Sequence, residues 1–288
     1  MSTLQLWRTP AEVRAWTAAA RARGQRLALV PTMGFLHDGH LALMREGAAR
    51  ADAVAVSVFV NPAQFGPRED LSRYPRDVEG DLAKCASVGV AGVYLPDVAT
   101  VYPPGYQTSV DLEALTTGLD GASRPGHFRG VATVVTKLLA LFRPEVALFG
   151  EKDYQQLQVI TRLNEDLELG VDIVGLPTVR EEDGLARSSR NVYLDVDERR
   201  RATALSRGLF AASARAAAGE ADAATLTRLI RVELEAAGAR EDYVAVVDAR
   251  SLAPLTALTP GVPARALVAA FFGGTRLIDN VPLLLRAP

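Results

Sequence analysis

LALVPTMGFLHDGH, residues 27–40, decides the fold. An apolar run ends at Pro31, which a strand tolerates only where it stops. Gly34 and Gly39 follow, and then two of the chain's three histidines, His37 and His40. This is a strand turning into a helix. Four further runs match its first half: AVAVSVFV at 53–60, GVYLP at 92–96, VALFG at 146–150 and VDIVGLP at 171–177. They are continuous rather than alternating, the pattern of strands buried on both faces of a parallel sheet. Helical patterns separate them, from about 40 to 51, 77 to 88, 130 to 142 and 153 to 169. Strand–helix alternation of this kind predicts a doubly wound α/β domain, which holds its ligands at the carboxyl ends of its strands.

The texture changes after residue 177. Two helical stretches split near Gly219, and two strand-like runs, DYVAVVDAR and ARALVAAFFGGTRLIDNVPL, predict a smaller α+β domain. The expected division is 1–177 and 178–288, with the second domain closing over the site. Near the N-terminus, Thr9, Pro10 and Glu12 read as N-cap, first helical residue and capping-box partner, and Gly24 ends that helix.

Composition narrows the function. The 288 residues carry 32 basic and 34 acidic side chains, a net charge of −2. That balance opposes a protein gripping nucleic acid through a broad basic face. A single cysteine, Cys85, excludes an internal disulfide and a cysteine-based zinc site, and reads as a small buried apolar residue. There is no secretory leader pattern and no apolar run of the ~20 residues a bilayer requires. The expected location is the cytoplasm, with no membrane contact.

The chemistry concentrates at the opening stretch. If the helix begins near Gly39, His37 and His40 stand three positions apart on one face at its entrance. A helix N-terminus offers unpaired N–H groups and the positive end of the dipole, a ready anion site. Two imidazoles there suit the charge that grows when a phosphoanhydride breaks. For the short motif alone, a pair of surface histidines beside turn glycines is an equal reading. VNPAQF and FGEKD each follow a strand, which places Gln64 and Lys152 at the same sheet edge. Asp153 reads as an N-cap for the next helix.

PTMGFLHDGH resembles the nucleotide-binding signature of the pantoate–β-alanine ligase (pantothenate synthetase) family. Four further segments match that family in order: VSVFVNPAQFGPREDLSRYPR at 56–76, RPGHFRGVATVVTKLL at 124–139, FGEKDYQQL at 149–157 and PTVREEDGLARSSRNVYL at 177–194. GGTRLIDN at 273–280 matches more weakly. The resemblance implies a Rossmann-like sheet of nucleotidylyltransferase type. It implies ATP-dependent condensation of pantoate with β-alanine through a pantoyl adenylate, releasing pyrophosphate and then AMP.

Residue by residue, the resemblance assigns Met33, Gly34, Phe35, Leu36, His37, Asp38, Gly39 and His40 to ATP, with His40 as proton donor. Gly150, Glu151, Lys152, Asp153, Val179, Arg187, Ser188, Ser189 and Arg190 are likewise expected at ATP. Lys152 and Arg190 join His37 and His40 as the catalytic set. Gln64 is expected to contact pantoate and β-alanine, and Gln156 pantoate. Arg187 departs from the pattern, which usually has Met or Leu before the serines. Mg²⁺ is expected to be held mainly by ATP phosphates, with no dedicated metal site. A homodimer is also implied. His127, Arg129 and Lys137 lie in a matched segment without an assignable role.

Three rivals remain: a nucleotidylyltransferase that stops at the adenylated product, a truncated aminoacyl-tRNA synthetase, and a non-catalytic ATP-binding regulator. Net charge and the short C-terminal part oppose the second. The presence of His37, His40, Lys152 and Arg190 opposes the third.

Overall fold

The computed structural model describes residues 4–67 and 69–285. The chain divides into two compact units, residues 1–151 with 156–177, and residues 152–155 with 178–288.

The first unit is built on six parallel strands: β1 (Gln5–Trp7), β2 (Leu27–Thr32), β3 (Ala53–Val58), β4 (Gly92–Tyr94), β5 (Val146–Gly150) and β6 (Asp172–Leu176). Their order is β1-β4-β3-β2-β5-β6. The direction of winding reverses between β2 and β5, so the crevice above their carboxyl ends is the topological switch point. The expected doubly wound parallel sheet is therefore present. Pro31 lies inside β2, opposite Ser57 of β3, whereas the pairing with β5 runs only through Ala28 and Leu29. The proline sits where the strand has a neighbour on one side alone.

Alternation along each strand supplies two apolar faces. Ala28, Val30, Val54, Val56 and Val93 pack with Leu43 and Met44 of α2 (Asp38–Arg50) and Cys85 of α3 (Val78–Ser87). On the other face, Trp7 stacks against Trp16 of α1 (Pro10–Ala22) at 4.6 Å and lies 6.2 Å from Phe142. Thr9 and Glu12 form the expected capping box on α1, worth about 1 kcal/mol. Burial pushes the Cys85 thiol up to about 12, as befits an inert packing residue.

Some boundaries depart from expectation. β1 is an edge strand of three residues, too short to show a period. Two four-residue helices, α4 (Val98–Val101) and α5 (Asp120–Ser123), precede α6, which spans His127–Phe142 and so begins three residues earlier than its apolar stripe. α7 (Tyr154–Asp166) opens after a 3₁₀ turn, Glu151–Asp153, so Asp153 ends that turn.

The second unit pairs three antiparallel strands, β7 (Arg240–Asp248), β8 (Ala264–Phe272) and β9 (Thr275–Leu283), in that order. The long final run is thus a hairpin, reversed at Gly273–Gly274 by the two-glycine turn that suits it. The preceding helical stretch breaks at Thr203 into α8 (Val196–Ala202) and α9 (Ala204–Ala217). α10 (Ala223–Ala236) approaches α9 so closely at Gly208 that a Cβ there would press on the Ile230 backbone. Leu205, Leu209, Leu226, Ile230, Val268 and Phe272 form the core of this unit. Among the described residues no helix is long and apolar enough to cross a membrane.

Candidate functional site

At the switch point the chain leaves β2 through a strained loop. Gly34 has φ +83°, and a Cβ there would collide with the Asp81 carboxylate and Val58. Phe35 follows at φ 52°, a left-handed conformation that a side chain disfavours. Asp81, buried on α3, holds the strain in place. Its two oxygens accept from the N–H of Phe35 at 2.8 Å and of Leu36 at 2.7 Å. Burial pushes the Asp81 carboxyl above its usual range, against the pull of those two amides. Thr32 Oγ1 accepts from Gly34 N–H at 3.1 Å and donates to the Ser57 carbonyl at 2.8 Å.

The loop ends on His37, which caps α2. His37 Nδ1 accepts from the Gly39 N–H, and His40 Nδ1 accepts from the His37 N–H, each at 3.2 Å. The rings lie 4.1 Å apart, inclined at 45°. A nitrogen that accepts a hydrogen bond bears no proton, so each ring in this arrangement is the tautomer carrying its hydrogen on Nε2. Two imidazoles with their hydrogens on Nε2 therefore cap the start of α2 at the sheet's carboxyl edge.

Next along the edge, Asn61 caps the 3₁₀ turn Pro62–Gln64. Gln64 is buried. Its Oε1 accepts from Asn61 Nδ2 at 3.0 Å, and its Nε2 reaches Met33 Sδ at 3.2 Å, tying this turn to the β2 loop. Asn61 also bonds the Gly130 carbonyl at 3.1 Å and accepts from the Tyr102 hydroxyl at 2.8 Å. Gly130 must be glycine, because a Cβ would collide with the Ala63 carbonyl. His127 secures the turn from behind. Its Nε2 lies 3.0 Å from Arg124 Nη1, a donor only, so Nε2 accepts and Nδ1–H donates to the Gln64 carbonyl at 2.8 Å. Arg124 is paired with Glu69 at 2.6 Å. Burial, reinforced by Arg124, lowers the His127 imidazole to about 4, keeping it neutral.

Lys137 points inward: Nζ donates to the Val101 carbonyl at 2.6 Å and lies 4.3 Å from the Tyr106 ring centre. Burial lowers its ammonium. Arg129 binds the Ser109 hydroxyl. On β5, a Cβ at Gly150 would meet open space, so no packing demand explains that glycine. Glu151 follows it, and Gln156 is half-buried on the first turn of α7.

The remaining expected residues belong to the second unit. Lys152 Nζ lies 3.7 Å from Asp153 Oδ2. Residues 179–187 form a tight antiparallel turn, with Arg180 bridged to Ala186 and the Arg187 N–H donating to the Val179 carbonyl at 2.9 Å. Arg187 lies 3.1 Å from Glu181, so its side chain is held by an ion pair rather than extended into solvent. Ser188 Oγ accepts from the Arg190 N–H at 3.3 Å, capping the 3₁₀ turn of the buried Ser189 through Tyr193.

Sheet order, switch-point loop and histidine-capped helix define a Rossmann-type α/β protein with its site at the strands' carboxyl ends. The comparisons narrow this. The family model described as pantoate-beta-alanine ligase matches residues 5–282. Pantothenate synthetase of Myxococcus xanthus (strain DK1622) is 66% identical, over 96% of this chain and 95% of its own. A crystal structure of pantothenate synthetase from Thermus thermophilus matches with a TM-score of 0.91 and 46% identity, covering 96% of this chain and 99% of that one. Pantoate-beta-alanine ligase from Francisella tularensis, complexed with beta-gamma ATP and beta-alanine, matches at TM-score 0.81 and 31% identity over 97% of each chain. The chain belongs to the pantoate–β-alanine ligase family and is an enzyme of that family.

Proposed function

We propose that this enzyme condenses pantoate with β-alanine in two steps at the β2–β5 edge. The pantoate carboxylate attacks the α-phosphorus of ATP, forming pantoyl adenylate and releasing pyrophosphate. The β-alanine amine then attacks the acyl carbon, giving pantothenate and AMP. Both partners of the first step are anions, so positioning and charge neutralisation supply most of the rate. The observation that carries this reading is the pair of Nδ1-anchored imidazoles at the start of α2. Their Nε2–H groups meet the phosphate chain, and His40 donates to the charge that develops on it.

In this reading Met33–His40, Gly150–Asp153, Val179 and Arg187–Arg190 bind ATP, with Lys152 and Arg190 as cations to the reacting phosphates. Gln64 and Gln156 bind pantoate through neutral amides, which leave the carboxylate nucleophilic, and Gln64 also reaches β-alanine. Among the described residues no group of three or more His, Cys, Asp or Glu side chains could hold a metal ion. Mg²⁺ is proposed to enter on the triphosphate oxygens and to neutralise their charge. A homodimer and a cytoplasmic location belong to the same reading.

The test is AMP release from ATP and Mg²⁺ with pantoate, with and without β-alanine. Multiple turnovers of AMP only with both substrates are expected. Steady AMP release without β-alanine, or none under any condition, would refute the ligase reading for this chain.

A further inference from the structure

GGTRLIDN at 273–280 is a matched stretch to which neither sequence nor proposed mechanism gives a task. Its last two residues lie in β9, 2% and 3% exposed, with polar side chains facing opposite ways from one point on the strand. Asp279 receives the guanidinium of Arg180 on both oxygens, at 2.6 and 2.9 Å. The same guanidinium donates to the Gly184 carbonyl at 3.0 Å, closing the turn that runs into Ser188–Arg190. Asn280 Nδ2 donates to the Lys152 carbonyl at 2.9 Å, and its Oδ1 accepts from the buried Arg265 at 2.7 Å. Arg265 in turn lies 3.7 Å above the ring of Tyr154, whose hydroxyl bonds the Ala249 carbonyl at 2.8 Å. Two adjacent side chains thus tie the 152–154 segment and the 179–190 segment to one strand.

A buried ion pair is a poor way to gain stability, since desolvation offsets most of the attraction and apolar residues of similar volume do as well. What a forked guanidinium–carboxylate pair supplies is geometry. We infer that Asp279 and Asn280 are positioning residues for the adenylation step, holding Lys152 and Ser188–Arg190 in fixed relation from β9. The inference rests on the proposed roles of Lys152 and Arg190 at the phosphates.

Asn280→Asp removes the donor to Lys152 and adds a charge beside Arg265. It keeps the acceptor for Arg265 and replaces the N–H that faces the Lys152 carbonyl with an oxygen. Pantoate-dependent exchange between pyrophosphate and ATP reads adenylation alone. The expected result is about a tenfold fall in exchange rate, with pantoate KM within about twofold of wild type. In a Lys152→Ala background the same substitution is expected to cause no further loss, because both act through one group. A wild-type rate in Asn280→Asp, or the same factor lost in both backgrounds, would overturn the inference. Wild-type exchange in Lys152→Ala alone would instead overturn the reading beneath it. For the other anchor, Arg180→Lys retains the buried charge and loses the fork. About a tenfold rise in ATP KM with pantoate KM unmoved is expected, and equal rises in both would overturn the Asp279 assignment.

Discussion

Two helices of the first unit start at histidines, and the rings at the two starts are wired in opposite senses. At the start of α2, His37 and His40 accept through Nδ1 from backbone N–H groups, which leaves the hydrogen of each ring on Nε2. At the start of α6, His127 accepts through Nε2 from Arg124 and spends its Nδ1 hydrogen on the Gln64 carbonyl. The first pair is anchored through the nitrogen nearer the backbone and carries its hydrogen on the outer one. The second ring has both nitrogens committed inside the protein and acts as a strut. One residue type thus carries its hydrogen on either nitrogen, according to which one the backbone takes, and in the proposed function the first pair are ligands and the third ring is scaffold.

The strongest test of that contrast is removal of the α2 donors. His40→Ala is expected to lower kcat by about 10²-fold or more, the scale of lost acid–base or oxyanion-type stabilisation. Near-normal turnover in steady-state assays would strip His40 of its role.

The strut predicts an effect on stability rather than on chemistry. Above pH 6.5 His127 is neutral folded and unfolded, and titration contributes nothing. Its folded value is depressed to about 4 from 6.5, so as pH falls through that window the unfolded chain takes a proton that the folded one refuses. Stability should drop by on the order of 3 kcal/mol between pH 6.5 and 4 from this group. Urea unfolding across that range should show the slope in wild type and a shallower one in His127→Asn. Equal slopes would mean that the ring is not held neutral.

Much of this was legible because its causes are local. Buried parallel strands must be apolar throughout, so β2 to β5 show as runs; β6 shows as one too, although at the sheet edge none of its residues is buried, and β1 escapes because three residues carry no period. Thr9-Pro10 and Glu12 announce α1 because capping chemistry spans three residues. The H-x-G-H stretch stands out through its glycines and the rarity of histidine in the chain.

What was hidden depends on partners distant in sequence. Asp81 lies unmarked in the helical stretch from about 77 to 88, yet it holds the amides of Phe35 and Leu36, more than forty positions earlier. Its one local sign is the four-residue spacing to buried Cys85, which puts it on the inner face of α3. Tyr102 and Gly130 reach the site through Asn61, forty-one and sixty-nine positions away. His127 was visible as a residue and silent as to role, because its tautomer is set by Arg124 and a carbonyl sixty-three positions away. Arg187, out of pattern before the serines, becomes intelligible only beside Glu181.

The central claim concerns protons on three rings, and one spectrum reports all of them. Long-range ¹H–¹⁵N correlation of imidazole-labelled enzyme at pH 8 distinguishes a protonated from a bare ring nitrogen. The account predicts Nε2–H with a bare Nδ1 for His37 and His40, and the reverse, Nδ1–H with a bare Nε2, for His127. A proton on Nδ1 of either α2 histidine would contradict it.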